Sequence, residues 1–214
     1  MRKALGLIVA IWPMAAHGEQ VVIAALGDSL TQGFGLPQEQ GFVPQLQSWL
    51  IQEGVDARLI NAGVSGDTTA GGLSRVEWTL TPDVDAMIVA LGGNDFLRGL
   101  DPASSRANLD GILAAAENAQ VDVLLVGMTA PGNFGPDYKE QFDMIYPELS
   151  AQYGTLYAPN FFAGLQVAGG DPSSVRVFMQ PDGIHPNAEG VSKIVEALGP
   201  FVAELAERAN LPSN

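Results

Sequence analysis

The stretch "VVIAALGDSLTQGFG", residues 21–35, decides the fold. Six apolar residues run without a polar interruption to Gly27, and then Asp28 and Ser29 appear where the chain turns. Unbroken rather than alternating hydrophobicity marks a strand buried on both faces, the pattern of a parallel sheet. The same pattern returns in "ARLINAG" (57–63), "DAMIVALGG" (85–93) and "VDVLLVGM" (121–128), and more weakly in "TLYAP" (155–159). Helical stretches lie between them: 43–54, ending at Gly54; 68–80, weakened by Gly71 and Gly72; 104–119; and 137–153, where Pro147 is expected to introduce a kink. A last helix over roughly 187–208 carries Val191, Ile194, Val195, Leu198, Val202 and Leu205 on one face, with a bend expected at Gly199-Pro200. This βα alternation predicts a three-layer α/β/α sandwich around a mostly parallel five-stranded sheet.

Composition narrows the function. A chain of 214 residues that is 47% hydrophobic suits one domain with a sizeable core. A formal charge of −14 repels phosphate backbones and anionic lipid headgroups, which argues against nucleic-acid binding. Arg2 and Lys3, the short apolar run from Ala4 to Ala16 and the small residues of "AHG" (16–18) read as a signal peptide over residues 1–18. The apolar run is too short to span a bilayer, and with no cysteine there is no lipid-anchor site, disulfide or thiolate chemistry. The expectation is a single domain over 19–214, exported to the periplasm or beyond without a membrane anchor. A monomer is compatible with all of this.

Parallel sheets place their sites outside the carboxyl ends of the strands. Here those ends lead into "GDSLTQG", "NAGVSGDTT" and "GGNDF", each pairing glycine with small polar side chains. Histidine is scarce: His17 falls in the expected signal, so imidazole chemistry rests on His185 in "QPDGIHPNAEG". Asp182, three residues earlier, can accept from one ring nitrogen and leave the other free as a base, and Gly183 permits the sharp turn between them. Such a base needs a hydroxyl nucleophile, and Ser29 stands where the first strand ends. A serine there acts either as nucleophile or as a cap on the following segment, and residue type alone leaves both open. Asp28 points away from its neighbour and is expected to brace the loop. Gly66 offers a backbone N–H, and Asn94 a carboxamide N–H, to a developing oxyanion.

These four blocks resemble the SGNH hydrolases, also called the GDSL family. The serine block is "GDSLTQG", the glycine block "NAGVSGDTTAGG", the asparagine block "LGGNDFLRG" and the last "DGIHPNAEG", in the family's order and with its DxxH spacing. Within the family, "PGNFGPDYKEQFDMIYPELSAQYG" (131–154), the pair at 161–162 and "QPDGIHPN" are similar to the bacterial arylesterase, thioesterase I and lysophospholipase subgroup. The resemblance implies a flavodoxin-like fold, with Ser29 as nucleophile, His185 as general base and Asp182 orienting it. It further implies an oxyanion hole of the Ser29 and Gly66 N–H groups with the Asn94 side chain, and cleavage of esters and thioesters through an acyl-enzyme without metal or cofactor.

Competing signatures are missing. "GVSGD" (63–67) comes near a GxSxG elbow, but Asp67 replaces the final glycine, so Ser65 is a poor rival nucleophile. There is no phosphate-binding GxxxxGK[ST] loop and no HExxH zinc pair. The expected substrates are short- to medium-chain acyl and aryl esters, and lysophospholipids, with Phe34, Leu36, Phe96, Leu97 and Phe134 as candidates to line an acyl groove. Residues 160–179 read as a surface excursion bordering it. Two alternatives stay open: a carbohydrate O-acetylesterase of the same family, and a binding module that has lost catalysis.

Overall fold

The computed structural model describes residues 20–165 and 172–211. The expected signal segment, residues 1–18, lies outside the described residues, as does 166–171 of the expected surface excursion. Five strands form one sheet: β1 (Val21–Gly27), β2 (Ala57–Gly63), β3 (Ala86–Ala90), β4 (Asp122–Val126) and β5 (Leu156–Ala158). Their order is β2-β1-β3-β4-β5 and every pairing is parallel, with Gly27 set against Gly63 on one side and Ala90 on the other. The helices are α1 (Ser29–Gln32), α2 (Phe42–Gln52), α3 (Thr69–Thr79), α4 (Gly93–Leu97), α5 (Pro102–Asn118), α6 (Pro136–Asp143), α7 (Ile145–Tyr153), α8 (Pro172–Val175) and α9 (Ala188–Ala209). Helices α2 and α9 cover one face of the sheet and α3, α5 and α7 the other, giving the expected three layers.

Burial follows position in the sheet. Strands β1 and β3 are buried at every residue, and their side chains join Leu124, Leu125 and Leu46 in one core. Strand β2 departs from the expectation of burial on both faces: only Ala57 is buried, because β2 is an edge strand. After β1 the chain goes outward to β2 and then returns across β1 to β3. The strand order therefore reverses between β1 and β3, where sheets of this kind open a crevice at their carboxyl edge.

Two helical expectations need correction. The stretch 137–153 is two helices, α6 and α7, and the break falls at Met144 rather than at Pro147. Proline has no N–H to offer the carbonyl four residues back, so it is tolerated in the first turn of a helix, where that N–H lacks a partner anyway. Placing Pro147 in the first turn of α7 thus moves the interruption upstream. The glycines of 68–80 do not prevent α3, whose N-cap Thr68 accepts from the Gly71 N–H. At Gly72 the helix packs so close to Leu91 that a Cβ would sit 2.2 Å from its methyl group and force that side chain to shift. The last helix continues in sequence through Pro200. No helix among the described residues is long and apolar enough to cross a membrane.

Candidate active site

The turn after β1 settles what Ser29 is free to do. Asp28, not Ser29, is the N-cap of α1: its Oδ1 accepts the Leu30 N–H at 3.0 Å. Ser29 is the first residue of α1, and its Oγ lies 2.8 Å from His185 Nε2. On the other side of the ring, Nδ1 is 2.7 Å from Asp182 Oδ2. The second carboxylate oxygen, Oδ1, accepts the N–H groups of Ile184 (2.9 Å) and His185 (3.0 Å), locking the turn in which Gly183 takes φ +68°. The His185 carbonyl in turn accepts the Gln180 N–H at 2.7 Å, and the Phe34 ring packs 4.6 Å from the imidazole. Hydrogen bonds from His185, then from its own backbone N–H and that of Ile184, hold the Asp182 carboxyl down at about 2. An ionised Asp182 fixes the proton on Nδ1 and leaves the Nε2 lone pair facing the serine hydroxyl.

Donors converge on the same space. Gly66 takes φ +84°, a conformation that suits glycine and turns the Ser65–Gly66 peptide at the end of the β2 loop. Among the described residues, neither the Ser29 N–H nor the Gly66 N–H has a hydrogen-bond partner. Asn94 sits in the first turn of α4 rather than in a loop, and its Nδ2 donates to Asp67 O at 2.9 Å and to Asp28 Oδ2 at 3.3 Å. Helix α4 is anchored by the buried Asp95, which accepts the Thr69 N–H, the Thr69 hydroxyl and the Ser105 hydroxyl. Ser65 bonds to the Gln32 side chain rather than to histidine.

Ser29, Gly66, Asn94 and His185 all line one cleft of about 460 Å³. Of the candidate acyl-contacting residues, Phe34, Phe96 and Leu97 are on its wall. Leu36 and Phe134 are not. Leu36 packs against the core, and Phe134 lies 5.1 Å from the Tyr138 ring and over Gly99. In their place the wall is built by Leu30, Met128, Phe162, Val175, Met179 and Ile184. Met128 ends the apolar run 121–128 that contains β4, whose carboxyl end is not among the loops expected to build the site. Val175 and Met179 come from the 160–179 excursion, whose fold against the cleft carries no local pattern.

The family follows from setting this arrangement beside known proteins. Residues 25–192, from within β1 to α9, match the GDSL-like Lipase/Acylhydrolase family. This chain belongs to that family. It is 40% identical over 184 residues to Esterase TesA of Pseudomonas aeruginosa, covering 86% of this chain and 88% of the relative. It is 32% identical over 207 residues to an arylesterase of Vibrio mimicus, with 95% and 97% covered. Among solved structures, the SGNH-hydrolase family esterase AlinE4 superposes with a TM-score of 0.70 at 43% identity, over 92% of this chain and 99% of that one.

In this GDSL-family chain the motif aspartate is a charge problem as well as a cap. Asp28 is 1% exposed, and burial raises its carboxyl to about 6 against the downward pull of the Leu30 N–H, His185 and Asn94. A raised carboxyl favours folding most below its unfolded value of 3.8, and that contribution is lost as pH rises through about 6. Two units correspond to about 3 kcal/mol. Between pH 4 and 8 the wild-type protein is therefore expected to lose up to about 3 kcal/mol of stability that Asp28→Asn does not lose. Urea denaturation of both proteins across that range checks this; parallel pH profiles would show that Asp28 is ionised in the fold without penalty.

Proposed function

We propose that this chain is a serine hydrolase that cleaves carboxylic esters and thioesters through an acyl-enzyme on Ser29. The observation that carries the reading is the unbroken line from Asp182 through His185 to the Ser29 hydroxyl, ending in an apolar cleft beside two N–H groups that have no partner among the described residues. Ser29 Oγ attacks the acyl carbon while its proton passes to His185 Nε2. The resulting oxyanion is met by the Ser29 and Gly66 N–H groups and by Asn94 Nδ2. As the tetrahedral centre collapses, the C–O or C–S bond breaks and His185 returns the proton to the departing alcohol or thiol. Water then attacks the acyl-enzyme and gives its proton to His185; as the second tetrahedral centre collapses, the C–Oγ bond breaks, His185 returns the proton to Ser29 Oγ, and the acid leaves.

The cleft wall favours an acyl chain over a bare acetyl group. Leu30, Phe96, Met128, Phe162 and Met179 offer apolar surface well beyond what a methyl group covers. Hydrolysis of p-nitrophenyl esters from acetate to palmitate is expected to peak at butyrate to octanoate and to vanish in Ser29→Ala. Activity confined to acetate would transfer the protein to the O-acetylesterases. Stoichiometric labelling of Ser29 by an organophosphonate is expected as well, and labelling no greater than in Ser29→Ala would leave a binding module.

The N-terminal pattern of Arg2, Lys3 and the apolar run to Ala16 supports export, with cleavage near Gly18. Protein recovered outside the cytoplasm with a new N-terminus near residue 19 is the expected result.

A further inference from the structure

Arg75 is not among the residues lining the cleft, yet three hydrogen bonds from its side chain reach the loops of the site. It lies on α3, and its side chain is 22% exposed. Its Nη2 donates to the Gly27 carbonyl at 2.9 Å, its Nη1 to the Ala62 carbonyl at 2.7 Å, and its Nε to Asp67 Oδ2 at 2.7 Å. Gly27 ends β1, two residues before the nucleophile. Ala62 is the next-to-last residue of β2, and Asp67 follows Gly66 directly. One planar guanidinium thus spans the strand end that presents Ser29 and both sides of the loop that presents Gly66.

The neighbouring contacts show why this bridge matters. The Gly66–Asp67 segment is also held by Arg98, whose Nη2 donates to Gly66 O at 2.7 Å, and by Asn94, which donates to Asp67 O. Arg98 grips the loop from the exposed rim and ties it to α4 alone. Between the β1 and β2 ends themselves, the Val64 N–H to Gly27 O bond at 3.0 Å is the backbone link beyond the ladder. That link shares its acceptor with Arg75. Two N–H donors can stabilise one oxyanion only if their separation is held to a fraction of an ångström, and each comes from a different strand end.

We infer that Arg75 is a positioning residue that sets the spacing of the Ser29 and Gly66 N–H groups, and so the affinity of the site for the tetrahedral oxyanion rather than for the substrate. The inference rests on the acyl-enzyme reading above. A lysine has a compact ammonium on a flexible stem and cannot reach three acceptors laid out for a planar fork. Arg75→Lys is therefore expected to lower kcat by about 10- to 100-fold while KM moves by less than about threefold.

An alkyl boronic acid and the primary alcohol of the same chain length separate positioning from general loosening. Ser29 Oγ adds its lone pair to boron, the serine proton passes to His185, and no group leaves, so the adduct carries a tetrahedral anion in the oxyanion's place. The alcohol fills the cleft without that anion. In Arg75→Lys the boronate Ki is expected to rise in step with the fall in kcat, with the alcohol Ki unchanged. Arg98→Gln, which removes one exposed contact to the same loop, is expected to cost less than Arg75→Lys. A folded Arg75→Lys with wild-type kcat and boronate affinity, a parallel loss of alcohol affinity, or an Arg98→Gln loss as large as that of Arg75→Lys would each overturn the inference. Should Arg75→Lys not fold, Asp67→Asn carries the test. A lower kcat at unchanged alcohol affinity is expected, and an unchanged kcat overturns it. Activity that survives Ser29→Ala would instead overturn the serine reading, and that is seen in the parent protein before any Arg75 variant is made.

Discussion

Replacing His185 with alanine is expected to lower kcat by about 10⁴- to 10⁶-fold, and Ser29→Ala to reach the same floor. The size follows from how few groups can act. His185 Nε2 is the base 2.8 Å from the Ser29 hydroxyl, and the sequence offers no second histidine beyond His17 at the N-terminus. Without it the serine must be deprotonated by water, and the leaving alcohol or thiol departs without a proton. Because the two residues act as one unit, the double variant is expected to be no slower than either single one. What remains is the contribution of the oxyanion donors and the cleft. Asp182, held at about 2, stays ionised and keeps the Nδ1 side of the ring paired, so that the Nε2 side is the one that meets the serine. Steady-state kinetics on the best p-nitrophenyl ester, with circular dichroism to show that the variants fold, measure all of this. A His185→Ala protein within tenfold of wild type would remove imidazole from the mechanism.

How much of this was legible beforehand depends on the range of the interaction concerned. The strands announced themselves because burial on both faces is written into consecutive residues; "AMIVA" is buried at all five positions. Strand β2 misled because edge position is a property of the whole sheet, not of "ARLINAG". The pairing of Asp182 with His185 was legible because the two share one turn, whereas the choice of Ser29 as nucleophile rather than cap came from the resemblance of the four blocks to the family. The cleft wall was less so. Phe34, Phe96 and Leu97 sit within a few residues of Ser29 and Asn94 and were found by proximity in sequence. Val175 and Met179 reach the wall from the 160–179 excursion, which was expected to border the groove without any side chain being singled out; Ile184, beside His185, was passed over; and Phe134 lies off the wall, tilted against the Tyr138 ring. Arg75 gave no signal, since an arginine in an amphipathic helix ordinarily faces solvent, and two of its three acceptors are backbone carbonyls with no sequence identity.

Asn94→Ala is expected to lower kcat by about 10²- to 10³-fold at nearly constant KM, the second largest effect. The resting geometry makes this more demanding than a donor waiting in empty space. Asn94 Nδ2 has two hydrogens, and both have acceptors: Asp67 O at 2.9 Å and Asp28 Oδ2 at 3.3 Å. The shorter bond holds the side chain to the Gly66–Asp67 segment, so that Asn94 and the Gly66 N–H move as one. The longer bond is weak by distance and is the one an oxyanion can take over. Its acceptor, Asp28, is the carboxyl that burial pushes up to about 6, so losing the Asn94 contact favours proton uptake by Asp28 rather than leaving a bare charge. Removing the carboxamide also leaves the buried Asp28 carboxylate and the part-buried Asp67 carbonyl short of a donor, which is expected to reduce stability by about 1–3 kcal/mol without unfolding the protein. Asn94→Asp keeps the shape but replaces the donor with an acceptor beside Asp28, and its kcat is expected to fall at least as far as that of Asn94→Ala. The two variants therefore part a donor's role from a spacer's: if shape alone mattered, aspartate would restore the rate that alanine loses.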